Sequence, residues 1–339
     1  MGTTYSTWAA DSTIARGQGN GLNASGDPVV TYEHGELQWA LRLLYDKTGN
    51  KSYYDYIVEG IDNILYENGS SSVSASEYSL DYIPPGRSFL YLYNQIGDER
   101  YKVGADDFRA QLETQPRTPE GQFWHKGAYP EQGWLDGIYM GDVFYATYTA
   151  AFQPTNRSAW VHRTIQSLHP IASSTNRMGT PNRGHSPEVW DRAVGWYLAP
   201  QTDETFFLRT TIQSQLQILA RHLVTAADSE SGPGRAGNYF ESSGASMYIY
   251  ALLKGVRLSY LDDADGLLVA AATKAYEYAT ANWVIPQPDG TMDWNNTVVV
   301  GSLEPGNDYE YYISEPIDTN DLKGLAAFIL ASLEYETLA

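Results

Sequence analysis

Cysteine is absent from this 339-residue chain. That single absence removes disulfides, thiolate metal sites, iron–sulfur clusters and thiol nucleophiles. Basic residues are scarce as well: 22 Lys and Arg stand against 41 Asp and Glu, a formal charge of −19. No Lys/Arg-rich run occurs, so nucleic acid and anionic membrane surfaces, which attract basic faces, are excluded as general partners. Long apolar runs are missing too, and nothing approaches the roughly 20 residues of a membrane span. Met1 to Trp8 has neither a basic start nor an apolar core and does not read as a signal peptide. The expected location is cytoplasmic, or secreted with a signal trimmed away.

Several catalytic motifs are also lacking. There is no HExxH and no Walker loop, and Gly184-His-Ser186-Pro-Glu188 fails the GxSxG pattern at its last position. Gly232-Pro-Gly234-Arg-Ala-Gly237 fits GxGxxG, but it follows a helical segment and contains Pro233, so it reads as a plain loop. The six His are scattered without metal-ligand spacing. No metal and no cofactor are expected.

What the chain has in quantity is aromatic residues, 13 % of the total and 27 of them Tyr. In an acidic protein this suits a wet pocket that stacks polar rings, sugars foremost. The chain also repeats itself. Leu44-Tyr45-Asp-Lys-Thr-Gly49-Asn50-Lys-Ser-Tyr53 recurs 48 residues later as Leu92-Tyr93-Asn-Gln-Ile-Gly97-Asp98-Glu-Arg-Tyr101. Each copy reads as a helix end, a Gly-Asn or Gly-Asp turn and a new helix. Trp39, Leu41, Leu43 and Leu44 cluster before the first turn, and Tyr53, Tyr56, Ile57, Ile61 and Ile64 follow it at one-face spacing.

Further helix pairs are expected at 139–152 with 157–168, 190–199 with 206–226, and 244–260 with 265–283. A last helix near 319–336 pairs with one near 5–15. About six hairpins of about 45–50 residues result, forming an open solenoid or a closed α/α ring. Pairing of the two termini favours closure. Thr297 to Val300 is the one convincing strand. Without a Pro/Ser-rich linker, residues 1–339 read as a single domain.

Three segments carry more chemistry than structure requires. In the first, Asp81 precedes Pro84-Pro85 at a helix start, and by itself it reads equally as a capping acid. In the second, Trp124-His125-Lys126 is followed by Trp134-Leu135-Asp136-Gly137. An acid between aromatic residues can stay protonated near neutrality, whereas a helix start would favour its carboxylate. In the third, Trp190-Asp191-Arg192 is followed by Gly195-Trp196. Arg192 and Trp196 are four apart and share a helix face, able to hold a carboxylate-bearing ring or to brace each other as a cation–π pair.

Together these segments resemble glycoside hydrolase family 105, the unsaturated rhamnogalacturonyl and glucuronyl hydrolases, with family 88 more distant. The resemblance runs from Tyr32-Glu-His-Gly35 through both Gly turns, Pro116-Arg117-Thr118, Trp134-Leu-Asp-Gly137 and Trp190-Asp-Arg192. It continues through Asn238-Tyr-Phe-Glu241-Ser-Ser-Gly244 and Lys254-Gly-Val-Arg257 to Asn320-Asp-Leu-Lys-Gly324. It implies an all-α (α/α)6 barrel and hydration of the C4=C5 bond of a terminal unsaturated uronic acid on a lyase-generated oligosaccharide. On this resemblance Asp136 is the acid/base and Asp81 the second carboxylate, while Lys126, Trp134, Arg192 and Trp196 line the substrate pocket. His169 matches the family's site histidine, although His169-Pro-Ile-Ala-Ser departs from the family's His-Gly-aromatic-Asp. Tyr197 to Asp203 departs as well. Such a reaction needs a proton donor and a cation for the substrate carboxylate, but no metal, nucleotide or covalent nucleophile.

Two other functions fit the same residues. One is an inverting glycosidase on saturated uronides, with carboxylates about 6.5–9.5 Å apart. The other is a non-catalytic helical-repeat sugar binder. A net charge of −19 is compatible with an anionic substrate if Lys126, Arg192 and His169 form a small basic pocket in an acidic surface.

Overall fold

The computed structural model describes residues 4–73, 77–119, 121–159, 190–201, 210–227, 235–301 and 308–338. Its contacts divide the chain into two compact units, Ile14–Ser186 and Met1–Thr13 with Pro187–Ala339.

In the unit Ile14–Ser186, the repeated segment builds two helical hairpins. Helix α2 (Tyr32–Thr48) is followed by α3 (Lys51–Asp62), and α4 (Gly86–Ile96) by α5 (Glu99–Thr114). The preceding α1 (Tyr5–Ala15) belongs largely to the other unit. Gly49 and Gly97 end α2 and α4 with φ of 68° and 69°, a left-handed geometry that costs other residues strain. Their amides bond back to the carbonyls of Tyr45 and Tyr93 at 2.7 and 2.8 Å. The following Asn50 and Asp98 cap the next helices by accepting the Ser52 and Arg100 amides at 3.2 and 2.9 Å. The one-face spacing after the first turn is realised: Tyr53, Tyr56, Ile57, Ile61 and Ile64 are all buried. Before it, Trp39, Leu41 and Leu44 are buried while Leu43 is partly exposed. The next expected helix splits into a π-helical turn, Ile138–Asp142, and α6 (Val143–Phe152). Its partner begins at 157–159, and the remainder to 168 lies outside the described residues.

The other unit contains α7 (Asp191–Gln201), α8 (Thr210–Ala227), α9 (Ser242–Arg257), α10 (Leu267–Trp283) and α12 (Leu322–Tyr335). Short α11 (Tyr309–Ser314) precedes α12. Helices α9 and α12 pack on each other and are buried on nearly all sides, as their mostly apolar or small residues allow. The termini pair as expected. Ser6 of α1 donates its backbone amide and its hydroxyl to Glu336 at 2.9 and 2.7 Å, and Tyr5 packs edge-on to Phe328 of α12.

The strand content differs from expectation in two ways. The run Thr297 to Val300 shortens to β3 (Thr297–Val298), paired antiparallel with β4 (Ile317–Asp318). A second hairpin, β1 (Val284–Pro286) with β2 (Met292–Trp294), appears where no strand was expected. Each of its strands has three residues, too few for an alternating pattern to register. Its value lies in packing: Trp294 is fully buried and stacks on Phe328 at 3.9 Å.

A Cβ built on Gly97 meets nothing within 4 Å, so the cost of a side chain there is conformational alone. Gly97→Ala is expected to lower stability by about 1–2 kcal/mol, and Gly97→Asn by less. The midpoint of urea unfolding, compared across the three proteins, checks both values.

Candidate active site

The site in the unit Ile14–Ser186 begins with a one-turn 3₁₀ segment, Leu80–Tyr82, started by Ser79, whose hydroxyl accepts the Asp81 amide at 3.3 Å. Two close packings place this turn. Gly35 of α2 lies so near Pro84 and Pro85 that an added Cβ would fall 2.6–2.8 Å from their atoms. Buried Leu80 reaches the segment after Trp134, packing 3.5 Å from the Cβ position of Gly137 and 3.2 Å from that of Gly141. The Asp81 turn therefore packs against the turn that carries Asp136.

Asp136 is half-buried, and its carbonyl accepts the Met140 amide at 2.8 Å as the π-helical turn begins. π-turns recur at functional sites because the extra residue re-aims the side chains around them. The helix start also places positive backbone dipole near Asp136.

Helix α5 supports the second loop. Buried Gln115 donates to the carbonyls of Tyr78 at 2.9 Å and Trp124 at 2.8 Å. Buried Gln111 donates to the Ser79 carbonyl at 2.9 Å. Leu80 donates its amide to the His125 carbonyl at 3.0 Å, and Gly127 donates to that of Tyr78 at 3.0 Å. Two amide side chains and a pair of backbone bonds thus hold Asp81 against His125 and Lys126.

There the Asp81 carboxylate meets two nitrogen groups. His125 Nε2 lies 2.9 Å from Oδ1, and Lys126 Nζ lies 2.6 Å from Oδ2. Burial acts to raise the Asp81 pKa, but the charge and hydrogen bond of His125, followed by those of Lys126, bring it down to about 2. Asp81 is therefore a carboxylate at any working pH, suited to accepting hydrogen bonds and unsuited to donating a proton. Trp134 completes the group. Its partly exposed indole stacks on His125 at 4.1 Å and 10°, and Lys126 Nζ sits 5.8 Å from its ring centre.

Arg192 and Trp196 belong to the other unit, both on α7. The Arg192 guanidinium is 4 % exposed. It donates to Ser243 Oγ at 2.7 Å, to Glu241 at 3.1 Å and to the Val298 carbonyl. The guanidinium also lies over the Trp190 ring, 5.3 Å from its centre. Trp196 is 2 % exposed and forms part of the packed interior. Next to Arg192, Asp191 is pushed up to about 7, chiefly by burial and then by the Glu241 charge, against the pull of Arg192. His169 lies outside the described residues, as do 202–209, residues 232–234 of the Gly232–Gly237 loop and the 184–188 segment.

Sequence reasoning thus named Asp81, Lys126 and Trp134, which the structure brings together, and Asp136 on the adjoining turn. It passed over His125 and Asp191. The available signal for His125 was its position beside Lys126 in a segment already singled out. Among the described residues no cluster of three or more His, Asp or Glu could hold a metal, and no helix is long and apolar enough to cross a membrane.

The Gly-capped helical hairpins are those of an (α/α)6-barrel class of fold. The model of Glycosyl Hydrolase Family 88 matches residues 6–339, and the chain belongs to that family. A family-105 glycoside hydrolase structure from C. acetobutylicum ATCC 824 is 32 % identical, with a TM-score of 0.87 over 99 % of this chain and 100 % of that one. The unsaturated glucuronyl hydrolase of Bacillus sp. GL1 shares the fold at 14 % identity, with a TM-score of 0.70 over 98 % of this chain and 95 % of its own. A 24.9 kDa protein in the picA locus of Rhizobium radiobacter is 30 % identical over 193 residues, 51 % of this chain and 82 % of that protein. The expected resemblance and the (α/α)6-barrel class are both borne out.

The depressed Asp81 pKa has a thermodynamic consequence. The folded value lies below the unfolded 3.8, so the stabilisation is full above about pH 4 and is lost as pH falls through about 2. Asp81→Asn is expected to cost of the order of 2 kcal/mol at pH 6, with the gap from wild type closing toward pH 2. Paired urea titrations across that range check it.

Proposed function

We propose that the protein removes a terminal 4,5-unsaturated uronic acid from oligosaccharides left by polysaccharide lyases, acting as one catalytic domain over residues 1–339. The observation that carries this reading is the Asp81 carboxylate held between His125 Nε2 and Lys126 Nζ beside the turn of Asp136. Two neighbouring carboxyl groups with one fixed as the anion leave the proton-donor role to the other.

In the proposed reaction Asp136 gives its proton to C4 of the unsaturated ring. Water forms its new bond to C5, and its surplus proton returns to the Asp136 carboxylate. The resulting hemiketal at C5 opens, and the rearranged sugar separates from its aglycone. Asp81 holds the water or a ring hydroxyl as an acceptor, Lys126 offers charge to the substrate carboxylate, and Trp134 offers a stacking face. The Glycosyl Hydrolase Family 88 membership supports the reaction class, and the fold shared with the Bacillus enzyme agrees with it. Arg192 and Trp196 are proposed on the resemblance alone as further pocket residues, and His169 likewise.

Hydration destroys the conjugated double bond, so turnover is read as loss of ultraviolet absorbance. Wild type is expected to bleach unsaturated glucuronyl or rhamnogalacturonyl disaccharides. Asp136→Asn should lower kcat by about 10³-fold or more while circular dichroism stays unchanged. Cleavage of a saturated uronide with no activity on the unsaturated panel would replace this reading with an ordinary inverting glycosidase.

A further inference from the structure

We propose that His125 is a positioning residue for this reaction, tying the Asp81 carboxylate and the Trp134 indole into one rigid unit. The inference rests on the proposed roles of Asp81 and Trp134 and extends them to a residue outside the expected site.

The imidazole is 2 % exposed, and Asp81 is its one hydrogen-bond partner among the described residues, since Nδ1 meets none. A buried histidine kept for structure ordinarily satisfies both ring nitrogens. Here one nitrogen is spent on the carboxylate, and the ring face is spent on Trp134 at 4.1 Å and 10°. Because a carboxylate can only accept, Nε2 carries the proton of that bond.

Neutralising Asp81 does not by itself require His125, because Lys126 already stands 2.6 Å from the other oxygen. An ammonium on a four-carbon stem is a mobile point charge, however, and it leaves the carboxylate plane free to turn. The in-plane Nε2–H fixes one oxygen directionally, and the same ring sets the tilt of the indole. Acceptor and sugar platform therefore keep a constant mutual orientation, which is what a near-attack geometry demands.

The main chain of His125 is anchored independently of its side chain. Its amide donates to the Gln132 carbonyl at 2.8 Å, and its carbonyl accepts from Leu80 at 3.0 Å. Side-chain replacement thus leaves the loop its backbone bonds, and the two functions of the ring can be removed one at a time.

The test compares His125→Gln, which keeps a donor for Asp81 and loses the stacking face, with His125→Phe, which keeps the face and loses the donor. Both are assayed with wild type by loss of absorbance on the same unsaturated disaccharide. The expected result is a split. His125→Gln raises KM roughly three- to tenfold with kcat within about threefold. His125→Phe lowers kcat roughly 10- to 100-fold with KM within about threefold. If one variant fails to fold, the split in the other decides. Wild-type constants in the folded variants overturn the proposal, and so do equal losses in kcat and KM in both. An inactive wild type overturns the proposed function and this inference together, whereas an active wild type with unsplit variants overturns the inference alone.

Discussion

The Asp81 carboxylate, shared between His125 Nε2 and Lys126 Nζ, is the interaction on which the candidate site depends. A carboxylate taken out of water is costly unless its charge is matched and its lone pairs are used. Both conditions are met here by two adjacent residues of one loop, and that loop is in turn held by Gln111 of α5 and by Gln115, which caps the end of that helix. The chain of support runs from a Gly-capped helical hairpin, through two buried amides, to a charged pair. Loosening any member would free the Asp81 carboxylate to turn away from the position in which it is now held.

The second unit shows the opposite stoichiometry. There the Arg192 guanidinium pairs with Glu241, while Asp191 accepts the Arg192 backbone amide and is pushed up to about 7, chiefly by burial and then by the Glu241 charge. Asp81 has two nitrogen partners and lies at about 2. Both are acids in partly enclosed surroundings, and burial acts in the same direction on each. The charges and hydrogen bonds of His125 and Lys126 overcome burial at Asp81, whereas at Asp191 the Glu241 charge adds to burial. In a protein with 41 acidic and 22 basic residues, a locally basic carboxylate environment is the less probable outcome, so its presence beside Trp134 marks that place as specialised.

The parts of the fold legible in sequence are those with a local cause. The Gly-Asn and Gly-Asp turns announce a left-handed cap followed by an N-cap, and both appear as read at Gly49 and Gly97. The hidden parts are set by distant groups. Arg192 pairs with Glu241, Ser243 and the Val298 carbonyl, all far along the chain, and none of these partners can be read from its local helix spacing. His125 and Lys126 illustrate the same limit in the site. Consecutive residues of an extended segment point to opposite sides, so a shared partner for both is not read from their adjacency. The bends at this loop and the return of Gln132 to the His125 amide bring both side chains onto Asp81. Only the folded loop carries that information.

The charge balance of the chain also constrains how an anionic sugar would be recognised. At a net −19 the long-range field repels a uronate, and at physiological salt it is screened beyond about 8 Å. Binding then depends on contacts made after arrival. Lys126 is 30 % exposed yet already engaged by Asp81, so in the proposed reaction the substrate carboxylate competes with Asp81 for it or shares it. That competition is tolerable only if Asp81 keeps a second partner when the ammonium turns away. His125 is that partner: buried, backbone-anchored and bonded to the other oxygen. In the proposed reaction Lys126 then turns from Asp81 to the substrate carboxylate while Asp81 keeps its hydrogen bond to His125. The cost of recruiting the cation falls accordingly, and an acidic protein can hold one acidic sugar without a basic surface.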